Sequence, residues 1–560
     1  MSSAFFCGIS CLLVLATLWQ DIGGTLAFQG QDIIGGAAVI FKPPKRVKDL
    51  VGGAAAMMAV RRPPRSGRTS DVARTNRSDR PPPATTVAAA VETPGEQAEA
   101  FKNEGNSLYD RGQYAQALEA YQKAVKLTPQ DPEAQASVGD TYLTLGRFAE
   151  AAAAYEQTVR LQADNAGAYS NLGYAYDKLG KVTESIDALR NAVRLDANDA
   201  IAFNNLGASL YKAGRYQEAL DAFNNTVRLA PNDADALNNL GAVLYVLEQY
   251  PRALDSFQKA VAAKADSADA HYNLGNAYYM TGKHREATVA YRRAIQLRSD
   301  YVEARTNLGS LLISLGDLRG AIAELQESIR LRAGNPVAHN NLGYAYVKLG
   351  ETLDRTAANQ YLRQAVASYQ EALRLKPDYV KAQNNLGAAY NKLGQYREAA
   401  DLLSRAARAK PDFAEAHYNL GTALYNRGQF KEAVTEFQQA VRLKPDHADA
   451  YNSLGTALYR DQQFEPAIDA YKKTLALKPA NAETNNNLGT VYFRTKRYKE
   501  AAAAFKEAIR IKPDYGEAHF NLALAYVALN DRKGALDQYN KLKKLDPKLA
   551  EEFYQRHVKK

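Results

Sequence analysis

The chain has 560 residues, of which 46% are apolar, and its formal net charge is +10. This composition is that of a folded protein, and the length exceeds what a single compact core organises. The charge does not predict a basic surface throughout, because residues 42–80 alone hold eleven Lys or Arg residues against three acids. Both cysteines, Cys7 and Cys11, lie in the apolar N-terminus, so removal of that segment would exclude disulfides, thiol catalysis and cysteine-ligated zinc.

The first predicted element is a secretory signal peptide at residues 1–27. Residues 4–19 are apolar and uncharged, and Thr25-Leu26-Ala27 resembles a small-residue cleavage site. The same apolar run could instead be retained as a membrane anchor, although it is somewhat shorter than the about 20 residues that a full span requires. We therefore expect a secreted, periplasmic or cell-envelope protein, with anchoring by residues 4–19 as the alternative.

The second predicted element is a disordered linker, rich in Pro and Arg, at residues 28–97. Pro43-Pro44, Pro63-Pro64 and Pro81-Pro82-Pro83 would interrupt any helix in this stretch. Arg, Ser, Thr and Ala supply much of the remainder, and such a segment has few apolar side chains to bury.

From residue 98 the chain follows a period of 34 residues. Thirteen units cover residues 98–549, and Ala523 takes the glycine position of the last unit. The eighth unit, residues 336–379, carries a ten-residue insertion, because Gly343 and Ala365 are 22 residues apart instead of 12. In the twelve units before the last, position eight is glycine. These residues are Gly105, Gly139, Gly173, Gly207, Gly241, Gly275, Gly309, Gly343, Gly387, Gly421, Gly455 and Gly489.

Each unit predicts two short amphipathic helices. Position twenty is small, as in Ala117 and Ser185, so this residue and the glycine at position eight are expected to face each other where the helices cross. Position twenty-four is usually large and apolar or aromatic, and proline closes eight of the units. One unit cannot bury its apolar face alone, so the units must stack, and residues 550–560 are predicted to form a helix that caps the last one.

This pattern resembles the tetratricopeptide repeat family, whose units carry L-G-x-x-Y, A-x-x-x-F and a closing P. The family's leading Trp is replaced here by other rings, such as Phe101, Tyr169 and His271. The resemblance implies an all-α, right-handed superhelical solenoid whose first helices line a concave groove. The recurrent N-N-L-G is also similar to the repeat region of the O-linked N-acetylglucosamine transferases. Their activity is not carried over, because repeats that run to about residue 549 leave no room for a sugar-transfer domain.

No catalytic residue, metal site or cofactor is predicted. The chain has no phosphate-binding G-x-x-x-x-G-K-[ST] and no nucleophile G-x-S-x-G. Four of the seven histidines recur at position four of a unit, where a structural role is expected, and none has metal-ligand spacing. These four are His271, His339, His417 and His519.

The candidate binding site is a polar, periodic set of side chains on the first helices. An amide can both donate to and accept from a peptide backbone, and tyrosine adds an amphipathic surface. By the resemblance, these side chains would line a peptide-binding groove; alternatively, the asparagines orient neighbouring helices. The set comprises Asn103, Asn171, Asn205, Asn239, Asn273, Asn307, Asn341, Asn385, Asn419, Asn487 and Asn521 at position six, with Tyr211, Tyr245, Tyr279, Tyr425 and Tyr459 at position twelve.

The sequence therefore predicts a non-catalytic scaffold for extended polypeptide segments, with proteins or peptides as partners. Neither a small-molecule substrate nor a nucleic acid is expected, and a membrane is a partner only if the N-terminal segment is retained. One alternative is an accessory subunit that presents substrates to a separate enzyme, such as a glycosyltransferase. Another is nucleic-acid or anionic-surface binding through the basic linker, which would weaken steeply with salt.

Overall fold

The computed structural model describes residues 93–558. The predicted signal peptide and the predicted linker as far as residue 92 lie outside the described residues. The end of that linker is already helical, because Thr93 caps the first helix. Its hydroxyl accepts from the Glu96 backbone N–H at 3.3 Å, and the Glu96 carboxylate accepts from the Thr93 N–H at 2.8 Å. The repeat array thus begins a few residues before the predicted boundary at 98.

The described residues form 27 α-helices and end in a π-helical turn at Tyr554–Val558. Odd-numbered helices up to α25 are the first helices of successive repeats, and the even-numbered ones are the second helices. The helices of the first seven repeats are α1 Pro94–Asp110, α2 Tyr114–Leu127, α3 Pro132–Thr144, α4 Phe148–Leu161, α5 Ala166–Lys178, α6 Val182–Leu195, α7 Ala200–Lys212, α8 Tyr216–Leu229, α9 Ala234–Val246, α10 Tyr250–Ala263, α11 Ala268–Met280, α12 His284–Leu297, α13 Val302–Ser314 and α14 Leu318–Leu331. Those that follow are α15 Pro336–Gly350, α16 Arg355–Leu375, α17 Val380–Lys392, α18 Tyr396–Ala409, α19 Ala414–Asn426, α20 Phe430–Leu443, α21 Ala448–Arg460, α22 Phe464–Leu477, α23 Ala482–Arg494, α24 Tyr498–Ile511, α25 Gly516–Ala528, α26 Arg532–Leu545 and α27 Pro547–Phe553.

Local chemistry sets the ends of these helices. Several first helices have a side-chain N-cap, such as Asp233, whose carboxylate accepts from the backbone N–H of Asp235 and Ala236. In twelve of the thirteen repeats the turn between the two helices contains a residue with positive φ, and glycine supplies it in eight of them, for example Gly112 at 75°. Glu248, Gln462, Lys496 and Asn530 adopt the same conformation at φ of 59–63°.

The two helices of a repeat cross at the glycine of position eight. A Cβ atom built on Gly241 would lie 2.6 Å from the Phe257 ring at position twenty-four. At all twelve position-eight glycines, the eighth repeat included, such an atom would lie 2.4–2.9 Å from the corresponding side chain of the second helix. In the third repeat the Ser185 hydroxyl at position twenty donates to the Gly173 carbonyl at 2.7 Å. Glycine is therefore required here because a large buried side chain occupies the space of its side chain.

The described chain divides into two compact units, residues 93–308 and 309–558. In the first unit, the fully buried rings include Tyr155, Phe257 and Tyr291. In the second unit, Phe437 and Phe505 take the same place in their repeats. Each unit is thus an α-solenoid, in which each helix pair packs against the next.

The insertion in the eighth repeat lengthens its second helix. α16 has 21 residues where the other second helices have 14, and Asp354 caps it by accepting from the N–H of Thr356 and Ala357. In the loop before it, the Glu351 carboxylate forms two ion pairs. Its oxygens lie 3.0 Å from Lys348 Nζ and 2.6 Å from Nζ of Lys392, which belongs to the next repeat. The longer element is therefore tied to both neighbouring first helices.

The C-terminal cap begins at Pro547, before the predicted start at residue 550. Asp546 caps α27 by accepting from the N–H of Lys548 and Leu549. Phe553 is buried, and its ring lies 6.1 Å from Phe520 and 6.2 Å from Tyr539, measured between centroids. Within the described part of the chain, no helix combines the length and apolarity that a membrane crossing requires.

Candidate functional site

The asparagines of position six are mostly interior. Asn103, which lies on the first helix of the described residues, is exposed, while Asn307 and Asn521 are half-buried. The other eight side chains are buried, with exposures between 0% and 7%. They are Asn171, Asn205, Asn239, Asn273, Asn341, Asn385, Asn419 and Asn487.

In the first unit these amides bind the preceding repeat. Asn239 Nδ2 donates to Asn204 Oδ1 at 3.0 Å, and Asn273 Nδ2 donates to Asn238 Oδ1 at the same distance. Both acceptors belong to position five of the repeat before. Asn171 reaches instead to position nine, where its Nδ2 donates to Asp140 Oδ1 at 3.0 Å. Asn307 Nδ2 donates to the Tyr272 hydroxyl at 3.0 Å.

The second unit repeats this arrangement. Asn385 Nδ2 donates to Asn340 Oδ1 at 3.1 Å, Asn419 Nδ2 to Asn384 Oδ1 at 2.9 Å, and Asn521 Nδ2 to Asn486 Oδ1 at 3.0 Å. Asn341 Nδ2 donates to the Ser310 hydroxyl at 2.6 Å. These hydrogen bonds form an amide ladder, by which we mean the contacts from position six of one repeat to position five or nine of the repeat before.

The eight buried asparagines therefore do not line an open groove, contrary to the groove interpretation of the sequence. Small residues such as Ala208 and Ala242 at position nine let neighbouring first helices approach closely and cover the amides. The alternative interpretation, in which the asparagines orient neighbouring helices, accounts for the observed contacts. Among the position-six residues, Asn103, Asn307 and Asn521 keep side-chain surface that a partner can reach.

The tyrosines of position twelve likewise include both buried and half-buried side chains. Tyr211 and Tyr245 are buried, and each packs edge-on against a ring at the start of the second helix, with centroids 5.3 Å apart. Tyr425 is buried beside Phe430. Tyr279 and Tyr459 are half-buried, and burial raises the pKa of each hydroxyl above its ordinary value. Only the last two offer ring surface to a partner.

The sequence reasoning missed an acidic array at the start of the first helices. Position two lies in their first turn, where the helix dipole favours a negative charge. Nine of the thirteen repeats carry an acid there, a regularity that the same 34-residue period could have revealed. The residues are Glu99, Glu133, Asp235, Asp269, Glu303, Glu415, Asp449, Glu483 and Glu517.

Several of these acids are neutralised within their own unit. In the first unit, Lys102 pairs with Glu99 at 2.8 Å and with Glu133 at 3.2 Å. Arg298 binds both carboxylate oxygens of Asp269, at 3.0 and 2.8 Å. Each pair leaves the start of the first helix polar and partly open to solvent.

The recurrent histidines of position four close the turn between repeats. Nε2 of His271, His339, His417 and His519 lies 3.0–3.2 Å from a backbone carbonyl oxygen six residues earlier. His417 Nδ1 also lies 2.7 Å from the Glu436 carboxylate, and this hydrogen bond raises the pKa of His417. The structural role expected from the sequence agrees with these contacts.

Comparison with protein families agrees with this architecture. The model of the Cilia and flagella-associated protein 70 C-terminal domain matches residues 82–298. Tetratricopeptide repeat models match residues 309–350, 357–394, 389–448, 418–482, 452–516 and 486–550. The chain is a tetratricopeptide-repeat protein, and this family supports a role as a protein-interaction scaffold.

Several solved structures are similar to parts of the chain. The APC/C hetero-tetramer Cut9-Hcn1 is 15% identical, with a TM-score of 0.42, and the match covers 77% of this chain and 96% of that one. YrrB, described as a TPR protein with an unusual peptide-binding site, is 25% identical over 35% of this chain and 95% of its own, with a TM-score of 0.30. MamA from Desulfovibrio magneticus RS-1 is 27% identical over 30% of this chain and 95% of its own, with a TM-score of 0.29. No curated protein sequence matches the chain.

Proposed function

We propose that the chain is a non-catalytic scaffold that binds extended polypeptide segments along the starts and ends of its first helices. The observation that carries the proposal is periodicity, because nine of the thirteen first helices present an acidic side chain at the same position. An acid recurs at position two, and half-buried rings such as Tyr279 and Tyr459 lie at position twelve. Packed helices lie about 10 Å apart and an extended chain advances about 3.3 Å per residue, so every third residue of a partner would meet a new repeat.

The described side chains favour binding over catalysis. The groups with raised pKa are mainly core tyrosines such as Tyr211, or acids beside other acids such as Glu483. Neither arrangement pairs a nucleophile with a base. No group of three or more His, Cys, Asp or Glu side chains in the described residues is placed to hold a metal ion.

Site-specific photo-crosslinking tests the proposal. A benzophenone amino acid replaces Tyr279 or Tyr459 on first helices, and matched controls place it at Val289 or Leu536, which are 68% and 46% exposed on second helices. A library of unstructured peptides should crosslink from the first-helix positions and much less from the controls. Equal crosslinking from both sets, or crosslinking from the second helices alone, would contradict this assignment.

We also propose that the mature protein begins near Phe28 and resides outside the cytoplasm, because the apolar run at residues 4–19 precedes Thr25-Leu26-Ala27. N-terminal sequencing of the native protein should read from this position. An intact Met1 on a soluble cytosolic protein would reject the proposal, and an intact Met1 in the membrane fraction would support the anchor.

A further inference from the structure

The fifth repeat, residues 234–267, departs from the period at four positions. Position four is Leu237, and no other repeat carries an aliphatic side chain there. Position nineteen is Glu in seven repeats, whereas the fifth repeat has a cation, Arg252. Positions twenty-nine and thirty are Ala262 and Ala263, and in no other repeat are both residues alanine.

All four departures line one surface groove of the first unit. The groove has a volume of about 1040 Å³ and is formed by the end of α8, the loop that follows it, α9 and α10. Leu237, Leu240 and Leu244 are buried on its α9 side, while Arg252 and the two alanines are exposed on its α10 side. A long side chain at either alanine would reduce this space, so the fifth repeat is shaped to keep the groove open.

The rim of the groove carries a cation that no acid of the described residues neutralises. Asp255 and Lys259 pair with each other along α10, with 2.7 Å between Oδ2 and Nζ. Arg252 forms no ion pair in this part of the chain, and its Nη1 donates to Gln249 Oε1 at 2.6 Å. The groove therefore complements a segment in which a carboxylate stands next to apolar side chains.

The chain itself contains such a segment twice. Asp32-Ile33-Ile34-Gly35-Gly36-Ala37-Ala38 recurs 17 residues later as Asp49-Leu50-Val51-Gly52-Gly53-Ala54-Ala55, and both copies lie outside the described residues. Each copy has a carboxylate, then two large aliphatic side chains, then four small residues that allow a close approach of the backbone. Its seven residues cover about 20 Å when extended, and α10 rises about 18 Å from Pro251 to Ala263.

We propose that residues 32–55 cover this groove within the same molecule, with one copy of the motif seated at a time. The carboxylate of the seated copy pairs with Arg252, and its two aliphatic side chains cover the leucines of α9. The inference goes beyond the scaffold function and does not depend on it, because the partner positions proposed above are positions two and twelve of the first helices.

The connection to the first repeat is long enough for this contact. Ala55 and Thr93 are 38 residues apart, and an extended chain of this length spans about 125 Å. Nine helix-to-helix steps of about 10 Å lead from α1 to α10, which makes a path of about 90 Å. A flexible tether gives the segment an effective concentration on the order of millimolar, so a weak contact is enough to keep the groove occupied.

Photo-crosslinking in the full chain tests the proposal. A benzophenone amino acid replaces Ala262, and the matched control replaces Arg228, which is exposed at the same position of the fourth repeat. Illumination of dilute protein should link the Ala262 position to residues 32–38 or 49–55 of the same molecule, as mapped by mass spectrometry. The yield should be at least fivefold above that of the control.

Charge reversal distinguishes direct pairing from a structural role of Arg252. Arg252→Glu introduces the residue that seven repeats carry at this position, so the fold should be retained while the crosslinking yield falls at least fivefold. Asp32→Lys together with Asp49→Lys should cause a similar loss, and combining these changes with Arg252→Glu should restore most of the yield.

Four results would overturn the proposal: equal linking from the Ala262 and Arg228 positions, links to other segments or to other proteins, an unaffected Arg252→Glu variant, or no recovery in the triple variant. Links that form only between molecules and increase with protein concentration would place a second copy in the groove and would also overturn it. Peptide crosslinking from Tyr279 is unaffected by any of these results, so the scaffold function is tested separately.

Discussion

The position-six amides show how one polar side chain can specify the packing of helices that meet through small residues. Six of the eight buried amides donate across the interface to a side chain of the preceding repeat, as Asn419 does to Asn384. A buried acceptor that loses its donor cannot recover it from water. The ladder therefore fixes the register between first helices, which small apolar side chains alone would leave loosely defined.

The ladder predicts a stability effect for a single amide. Asn419→Ala leaves the buried Asn384 Oδ1 without its donor, so the free energy of unfolding should fall by about 1–3 kcal/mol. Asn103→Ala, at the exposed end of the array, should change it by less than about 0.5 kcal/mol. Urea unfolding followed by circular dichroism measures both. An unaffected Asn419→Ala variant would show that the amide contact is energetically neutral.

A second prediction concerns pH and the pair formed by His417 and Glu436. The pKa of His417 is raised in the folded state, so its contribution to stability is fully present below the unfolded value of 6.5 and is lost as pH rises through the folded value. Glu436→Gln should lower stability at pH 6 and have little effect at pH 9. The variant copies the natural pair of His519 with Gln538, where the side chains are 2.7 Å apart. A pH-independent difference would reject this account.

The sequence identified which positions repeat, but it could not reveal which of them the neighbouring repeat covers. Asn239 and Asn103 occupy the same position of the period, yet within residues 93–558 only Asn239 has a preceding repeat to bury it. The same holds for Tyr245 and Tyr279, whose burial depends on the close approach of adjacent helices. Periodicity in one chain is a property of local structure, whereas exposure is a property of the packed neighbours.

Among the helices, α16 is the clearest departure from the period. Its additional turns extend beyond the length of the other second helices, and its start is held by the Asp354 cap and by the two lysines on Glu351. The insertion is accommodated with one continuous second helix, Arg355–Leu375. The sequence did not predict that Glu351 pairs with both Lys348 and Lys392. These partners lie 3 and 41 residues away in the chain, and the second belongs to the next repeat.

Removal of this cap should fray the added turns and leave the rest of the repeat folded. Asp354→Ala deletes the acceptor for two backbone N–H groups and should cost about 0.5–2 kcal/mol. Hydrogen exchange should accelerate at the start of α16 and remain unchanged in α18. The control is Gln360→Ala, an exposed position in the same helix. Exchange that stays slow in Asp354→Ala would show that packing, not capping, holds the added turns.

Across the described chain, each helix contacts mainly its neighbours in sequence, so stability should be local. The sequence predicted the stacked repeats well, because thirteen copies of one pattern leave little ambiguity about the fold. It placed the ends less well. The start at Pro94 and the cap at Pro547 depend on the capping residues Thr93 and Asp546, each of which occurs once and carries no periodic signal.

The C-terminal cap provides a test of this locality. Phe553→Ala opens a cavity against Phe520 and Tyr539 and should destabilise the last repeat by about 3–5 kcal/mol. Hydrogen exchange should accelerate in α25–α27 while protection in α1–α12 stays at its original level. Lys548→Ala, exposed on α27, is the control. Loss of protection throughout both units would show that the array unfolds as one cooperative block.

The amide ladder has a consequence for how such a chain changes in length. Repeat five donates through Asn239 to Asn204 and accepts through Asn238 from Asn273. An in-frame duplication of residues 234–267 would supply each new donor with an acceptor from the copy before it and each new acceptor with a donor from the copy after it. Gain or loss of whole copies of this repeat therefore keeps the ladder donors and acceptors of positions five and six paired, whereas a fractional insertion requires an adjustment such as the longer α16. Copy number is thus the property that a gene of this kind can alter with the least structural penalty.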